Sequence, residues 1–220
     1  MKLQDKVVLV TGGGTGIGRA ISMLFAKEGA AVAVNYSKSE EEAADTASEV
    51  AKFGAKSLIV KANVSIDQEV CQMVSTVKQE FGHIDILVNN AGLTLRAPAA
   101  EHPDDYWDTV INVNLNSPFV LSREIGRDMI ARGKGKILFT ASVLSFQGGI
   151  TVPSYSASKG AIAQLTSALA NEWASQGVNV NAIAPGLTEQ DENSLFKIYS
   201  RYLFDDKMTN LNRWLVDTSV

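Results

Sequence analysis

The sequence predicts an α/β fold, a doubly wound parallel sheet, and three observations predict it. Short apolar runs alternate with longer amphipathic stretches along most of the chain. Those runs are apolar at consecutive positions, the pattern of strands buried on both faces by crossover helices. A glycine-rich turn follows the first run and leads into a helical stretch, as at a strand-to-helix crossover. In order, "KVVLVTG" reads as strand one and Arg19 to Gly29 as a helix. "AVAVNY" is strand two, and Glu40 to Phe53 is a helix stopped by Gly54. "KSLIVKANV" is strand three, Gln68 to Phe81 a helix, and "IDILVNNAG" strand four. Asp104 to Arg132 reads as a long helical region broken near Asn116 to Pro118. "GKILFTAS" is strand five, Tyr155 to Gln176 a helix, and "VNVNAIAPG" strand six. Neither a repeat nor a linker interrupts the alternation, so a single domain is expected.

Composition excludes several function classes. A chain of 220 residues that is 45% hydrophobic and 20% charged can bury a full core. Its net charge of −4 and its lack of any lysine or arginine run argue against a nucleic-acid partner. Cys71 is the sole cysteine, so neither an internal disulfide nor a cysteine-built metal site is available, which fits a reducing cytosol. Burial in the core is expected for it. His83 and His102 lack partners at ligand spacing, so no metal is assigned. No apolar stretch is long enough to span a membrane, and "MKLQDKVVLVTGGG" does not read as a signal peptide. A soluble, cytoplasmic protein is expected.

In sheets of this kind ligands bind beyond the carboxyl ends of the strands, where the strand order reverses. Gly12, Gly16 and Gly18 form G-x-x-x-G-x-G after strand one. Glycines there let a pyrophosphate approach backbone N–H groups at the mouth of the helix starting near Ile17. The alternative is a plain glycine-rich turn. In "VPSYSASKGAIAQL" Tyr155 and Lys159 are four residues apart on one helical face, among small residues, with no carboxylate beside them. A nearby ammonium favours the phenolate, which suits proton exchange with an alcohol. Ser142, at the end of strand five, either stabilises charge on a reacting oxygen or caps a turn.

These residues, with "NNAG" at Asn89 to Gly92 and Pro185 and Gly186, resemble the short-chain dehydrogenase/reductase family from about Lys6 to Thr188. Within it, the stretches around Tyr155 and after it are similar to sugar-acid dehydrogenases (gluconate and deoxygluconate), and "VNYSKSEEEA" to glucose dehydrogenases and ketoacyl reductases. The resemblance implies a Rossmann-type domain at 1–188 that binds the dinucleotide and carries the catalysis, with 189–220 as an atypical C-terminal segment. It implies an enzyme transferring a hydride between a nicotinamide and a secondary alcohol or ketone of a small molecule, a sugar, sugar acid or polyol. Ser142, Tyr155 and Lys159 would be catalytic, with Asn114 in "NVNLN" holding a relay water or, alternatively, shaping a helix kink. Gly12, Gly16, Ile17, Gly18, Asn63, Val64, Asn90, Ala91, Gly92, Pro185, Gly186 and Thr188 would contact the cofactor.

At the end of strand two stand Asn35 and then Lys38, without the carboxylate that would pair with a ribose 2′-hydroxyl and repel a 2′-phosphate. Both are assigned to the cofactor, and NADP(H) is favoured with NAD(H) possible. Lys38 as a solvated loop lysine, and Thr15 in place of a basic residue, weigh the other way. Arg96 and Gln147 are candidates for the substrate pocket, the arginine pairing with a carboxylate or simply solvated. The family forms homo-oligomers, tetramers or dimers. After Glu189 the sequence departs from the family pattern. Ser194 to Phe204 reads as an amphipathic helix, and "LVD" from Leu215 is a faint echo of the usual seventh strand. A lost seventh strand would expose a sheet edge. A chain altered or truncated in this way leaves open a 3-ketoacyl thioester reductase or a nucleotide-binding protein without turnover.

Overall fold

The computed structural model describes residues 1–186 and the backbone of residues 215–216. One parallel sheet has the order β3-β2-β1-β4-β5-β6-β7. Its strands are β1 (Val7–Val10), β2 (Ala31–Tyr36), β3 (Ser57–Lys61), β4 (Ile86–Asn89), β5 (Gly135–Thr140), β6 (Val178–Ala184) and β7 (Leu215–Val216). The helices are α1 (Gly16–Lys27), α2 (Glu40–Lys52), α3 (Asp67–Phe81), α4 (Asp104–Ile111), α5 (Ser117–Ala131), α6 (Leu144–Gln147) and α7 (Pro153–Trp173). The first three strands step outward from β1, and the chain then returns to place β4 on its other side. The order therefore reverses between β1 and β4, which opens a crevice at their carboxyl ends.

The alternation of side chains along each strand explains why every strand is apolar at consecutive positions. Val8 and Val10 point into a cluster with Ile21, Leu24 and Phe25 of α1 and Ala43 and Val50 of α2. Val7 and Leu9 point into the opposite cluster, with Met73 of α3, Leu121 and Ile125 of α5 and Ile162 and Trp173 of α7. Each large side chain buried here contributes roughly 2 kcal/mol. The amino ends of the strands carry a separate polar knot. Asp85, just before β4, accepts the Val7 N–H at 3.1 Å and faces Arg132 at 3.4 Å and His83 at 3.2 Å. Arg132 also reaches the Ile84 carbonyl and, with Lys78, Asp128.

Three expectations are corrected. The helical region from Asp104 to Arg132 is not broken near Asn116 to Pro118. It passes through a π turn, Asn112–Asn116, where the Ser117 N–H donates to the Asn112 carbonyl just ahead of Pro118, which has no N–H. Cys71 is exposed, on the side of α3 that faces away from the sheet. A seventh strand is also present in the backbone, since Leu215 and Val216 pair in parallel with Ile183 and Ala184. Thr188 and the expected helix at Ser194 to Phe204 lie outside the described residues. Among the described residues no helix is long and apolar enough to cross a membrane, and no group of metal-ligating side chains gathers.

Candidate active site

The crevice is built first by the turn after β1. Gly12 has φ 58°, and a Cβ on it would stand 3.2 Å from the Ala91 Cα. A Cβ on Gly18 would run into the Gly12 carbonyl, so α1 can approach the turn only with glycine there. Thr11 Oγ1 donates to the Val88 carbonyl at 3.2 Å and accepts the N–H groups of Asn90 and Ala91, both at 3.0 Å. The Asn90 carboxamide donates to the carbonyls of Thr11 and Gly12, at 3.1 and 3.2 Å. From the other side, Asn35 accepts the Gly12 N–H at 3.3 Å and its carboxamide nitrogen donates to Val60 and Ala62. Asn35 thus holds the turn in place and is itself buried. Above the turn, Thr46 of α2 donates to the Gly14 carbonyl at 2.9 Å and accepts Arg19 at 3.0 Å.

A cleft of about 530 Å³ opens over this turn, within the size range of small-molecule sites. It brings together Gly12, Asn35, Lys38, Asn63, Val64, Ala91 and Gly92 of the expected set. Lys38 is exposed at its rim. Asn63 lines it too, but its carboxamide oxygen already accepts the N–H and hydroxyl of Ser65, so its acceptor is engaged. Gly16 and Ile17 lie in the first turn of α1. That turn has no acidic residue, whereas α2 and α4 begin with Glu40, Glu41 and Glu42 and with Asp104 and Asp105. A helix mouth with free N–H groups and no competing carboxylate suits a bound anion. The close-packed glycines, the anion-ready helix mouth and the cleft volume together fit a dinucleotide.

Beyond Gly92 the cleft meets a second cluster. Tyr155 and Lys159 lie on one face of α7, with the ammonium 5.6 Å from the phenol ring centroid. Ser142, after β5, hydrogen-bonds the Tyr155 hydroxyl and accepts the Leu144 N–H at 3.2 Å. Lys159 is 4% exposed and donates to the Thr140 carbonyl. Burial pushes its pKa down to about 8. Burial also raises the Tyr155 pKa, against the lowering effect of the Ser142 bond. In the free chain desolvation of the phenol is the larger effect.

Asn114, in the π turn, is buried. Its side chain exchanges hydrogen bonds with the Leu93 backbone, both at 2.9 Å, and donates to Ser158 at 3.2 Å. A Cβ on Gly92 would lie 3.3 Å from Asn114 Oδ1 and 3.7 Å from Lys159 Nζ, so the glycine leaves the space between them open. The Pro185 carbonyl accepts the Val143 N–H at 3.1 Å, and Gly186 follows it at the carboxyl end of β6. Arg96, on the loop after β4, and Gln147, the last residue of α6, are both exposed, and the Ala97 N–H donates to the Thr151 carbonyl at 3.0 Å, joining the segments that follow them. Sequence reasoning missed Thr11, Thr46, Tyr36 and Ser37. For Thr46 a signal existed, because it falls on the buried stripe of α2 with Ala43 and Val50.

The short chain dehydrogenase family model matches residues 6–196. The chain is 53% identical over 195 residues to the 2-dehydro-3-deoxy-D-gluconate 5-dehydrogenase of Pseudoalteromonas atlantica, a match covering 89% of this chain and 77% of the relative. It superposes on a gluconate 5-dehydrogenase of Burkholderia cenocepacia, solved with NADP and tartrate, with a TM-score of 0.79. That match has 36% identity and covers 84% of this chain and 72% of the other. A short-chain dehydrogenase/reductase double mutant from Serratia marcescens matches with a TM-score of 0.89 and 31% identity, over 97% of this chain and 96% of the other. The chain therefore belongs to the short-chain dehydrogenase family, oxidoreductases that act on CH–OH groups with NAD(H) or NADP(H).

Proposed function

We propose that the chain interconverts a secondary alcohol and a ketone on a sugar acid, with NADP(H) preferred over NAD(H). The observation that carries the reading is the cluster of buried Ser142 and Lys159 with half-buried Tyr155 at the end of the glycine-floored cleft. The sugar acid is suggested by the relatives' substrates and by Arg96, whose guanidinium can pair with a carboxylate. NADP(H) is suggested by Lys38 at the rim, beside Ser37 and Ser39.

A nicotinamide dinucleotide bound in the cleft supplies the hydride donor or acceptor. Tyr155 handles the proton at its Oη. Burial keeps that oxygen protonated at neutral pH, ready to donate to a carbonyl oxygen as charge develops there. Ser142 Oγ, next to Oη, stabilises the same developing charge. When the proton has left, the Lys159 ammonium is the nearby charge that stabilises the phenolate, so the reverse reaction uses Tyr155 as base. Gly12, Gly16, Ile17, Gly18, Asn63, Val64, Asn90, Ala91 and Gly92 shape the floor and mouth that would hold the dinucleotide. The π turn keeps Asn114 beside Lys159, where it can hold a relaying water.

Nicotinamide absorbance during incubation with D-gluconate, 2-dehydro-3-deoxy-D-gluconate, glucose and a 3-oxoacyl thioester tests the reading. Turnover of a sugar acid is expected, with kcat/KM higher for NADP(H). Turnover confined to the thioester would replace the substrate assignment with a ketoacyl reductase, and better use of NAD(H) would reverse the cofactor assignment. Tyr155→Phe is expected to lower kcat by about 10³ and leave NADPH affinity unchanged. NADPH binding with no turnover of any substrate would make the chain a nucleotide-binding protein only. We also propose a cytoplasmic homo-oligomer, a dimer or tetramer, on the strength of Trp107 and Phe119, which are 43% and 42% exposed on α4 and α5. A monomer mass by light scattering would remove it.

A further inference from the structure

His102 ends the short 3₁₀ turn Ala99–Glu101 and precedes Pro103 and α4. Its Nε2 lies 3.0 Å from the Ser154 hydroxyl. Ser154 is 0% exposed, occupies the second position of α7 and adjoins Tyr155. The other ring nitrogen, Nδ1, is buried and has no hydrogen-bonding partner. Tyr106 meets the ring edge-on, with centroids 6.0 Å apart. An unpartnered buried nitrogen is destabilising and asks for a reason.

The reason lies in the first turn of a helix. The N–H groups of Ser154 and Tyr155 have no intrahelical acceptor, so side chains from outside must hold this turn. α7 has no side-chain cap, because Val152 stands at its N-cap. The contact between His102 and Ser154 supplies a hold from the α4 side, one residue from the phenol. Neutral imidazole can make it in either tautomer, as donor or acceptor at Nε2. An imidazolium would place a proton and a share of its charge on buried Nδ1, where no acceptor waits.

The charged groups near this ring are Glu101, next in sequence, Asp104 and Asp105 at the start of α4, and Arg96 in the preceding loop. All four are exposed. Beyond these, α4 carries Tyr106 and Asp108, and the first turns of α7 carry Tyr155 and Lys159. Among the described residues no carboxylate is within ion-pairing distance of His102. Water screens the exposed carboxylates and weakens any compensation they give an imidazolium.

We propose that His102 is a positioning residue for Tyr155: through Ser154 it fixes the first turn of α7, and it does so only as neutral imidazole. The inference rests on the role given to Tyr155. The Ser156 amide, which donates to the Val152 carbonyl at 3.0 Å, reports on the same turn without any substrate, so the two readings can fail separately.

The test compares wild type with His102→Phe and His102→Gln at neutral and acid pH. It follows kcat with saturating nicotinamide cofactor, NADPH affinity, and hydrogen-exchange protection of Ser156 corrected for the intrinsic pH dependence. His102→Phe is expected to lower kcat about tenfold with NADPH affinity unchanged, the scale of a misplaced catalytic group. Ser156 protection should fall with it. His102→Gln, which keeps a hydrogen-bonding tip and does not titrate, should restore both. The wild type alone should lose Ser156 protection on acidification, while the glutamine variant stays level. Unchanged protection in a folded phenylalanine variant, or the same acid loss in the glutamine variant, would overturn the proposal. If the phenylalanine variant does not fold, the comparison with glutamine decides it.

Discussion

The two ends of the sheet bury opposite charges and treat them differently. At the amino ends, the Asp85 carboxylate, with its side chain 6% exposed, is met by Arg132, His83 and a backbone N–H. At the carboxyl ends, the Lys159 ammonium is at least as deeply buried and hydrogen-bonds the Thr140 carbonyl. Among the described residues no carboxylate lies within ion-pairing distance of it. The first arrangement is compensated and joins β1, β4 and α5. The second leaves an uncompensated charge at a cleft, which is why burial drives the Lys159 pKa down to about 8. A buried charge with counter-charges around it serves the fold, and one without them is available to chemistry.

Substitution at the two ends gives the largest expected effects. Lys159→Met should lower kcat by about 10² or more, since the phenolate loses its stabilising charge. Its stability should stay level or rise, because an apolar side chain replaces a desolvated ammonium. Asp85→Ala should do the reverse. It leaves the Val7 N–H without its acceptor and removes one of the two carboxylates that Arg132 meets, costing about 3 kcal/mol in chemical denaturation, with kcat per folded molecule unchanged. A Lys159→Met protein as unstable as Asp85→Ala would remove the distinction between the two ends. So would an Asp85→Ala protein that folds and fails to turn over.

The same contrast has a pH signature. In the folded chain Lys159 titrates near 8, well below its ordinary value of 10.5. Between those values the unfolded chain holds the proton that the folded chain has released, so folding stability gained from this group rises with pH. Other lysines and tyrosines titrate in that range, and subtracting the Lys159→Met curve isolates the one group. Wild type should gain stability relative to the variant from about pH 8 to about pH 10.5 and lose it again as pH falls through 8. A flat difference curve would mean that Lys159 is well solvated or well paired.

How much of this was readable beforehand depended on what kind of information each residue carries. Strand runs such as "VVLV" and "ILVN" are apolar on both faces, and that alone forces a two-sided cover of helices. Glycines at 12, 16 and 18, and a tyrosine and lysine one helical turn apart, are local patterns with few other uses together. The missed features depend on contacts between distant segments. Nothing in "NVNLNSPF" distinguishes a break from a π turn, because both relieve the missing N–H of Pro118, and packing decides between them. In sequence Asn35 reads as a cofactor contact, and it does line the cleft; what the sequence hides is that its carboxamide is committed to the glycine turn and to the end of β3 by partners 23 to 27 residues away. The raised Tyr155 pKa was hidden for the same reason, since desolvation depends on what surrounds the phenol and not on its neighbours in sequence.

The smallest effect concerns Thr46, which lies outside both polar clusters and yet touches the cleft through the backbone. Its hydroxyl joins Arg19 of α1 to the Gly14 carbonyl, so α2 holds the glycine turn that floors the cleft. Thr46→Val keeps the shape and removes the hydroxyl, leaving the Gly14 carbonyl without that donor at a cost of about 1 kcal/mol. If the turn is poised by this contact, part of the cost appears as weaker NADPH binding, up to about fivefold, with kcat at saturating cofactor unchanged. Thr46→Ser should restore the affinity. A valine variant that loses thermal stability but binds NADPH as wild type does would make the contact a feature of the fold alone, on the side of Asp85 and not of Lys159.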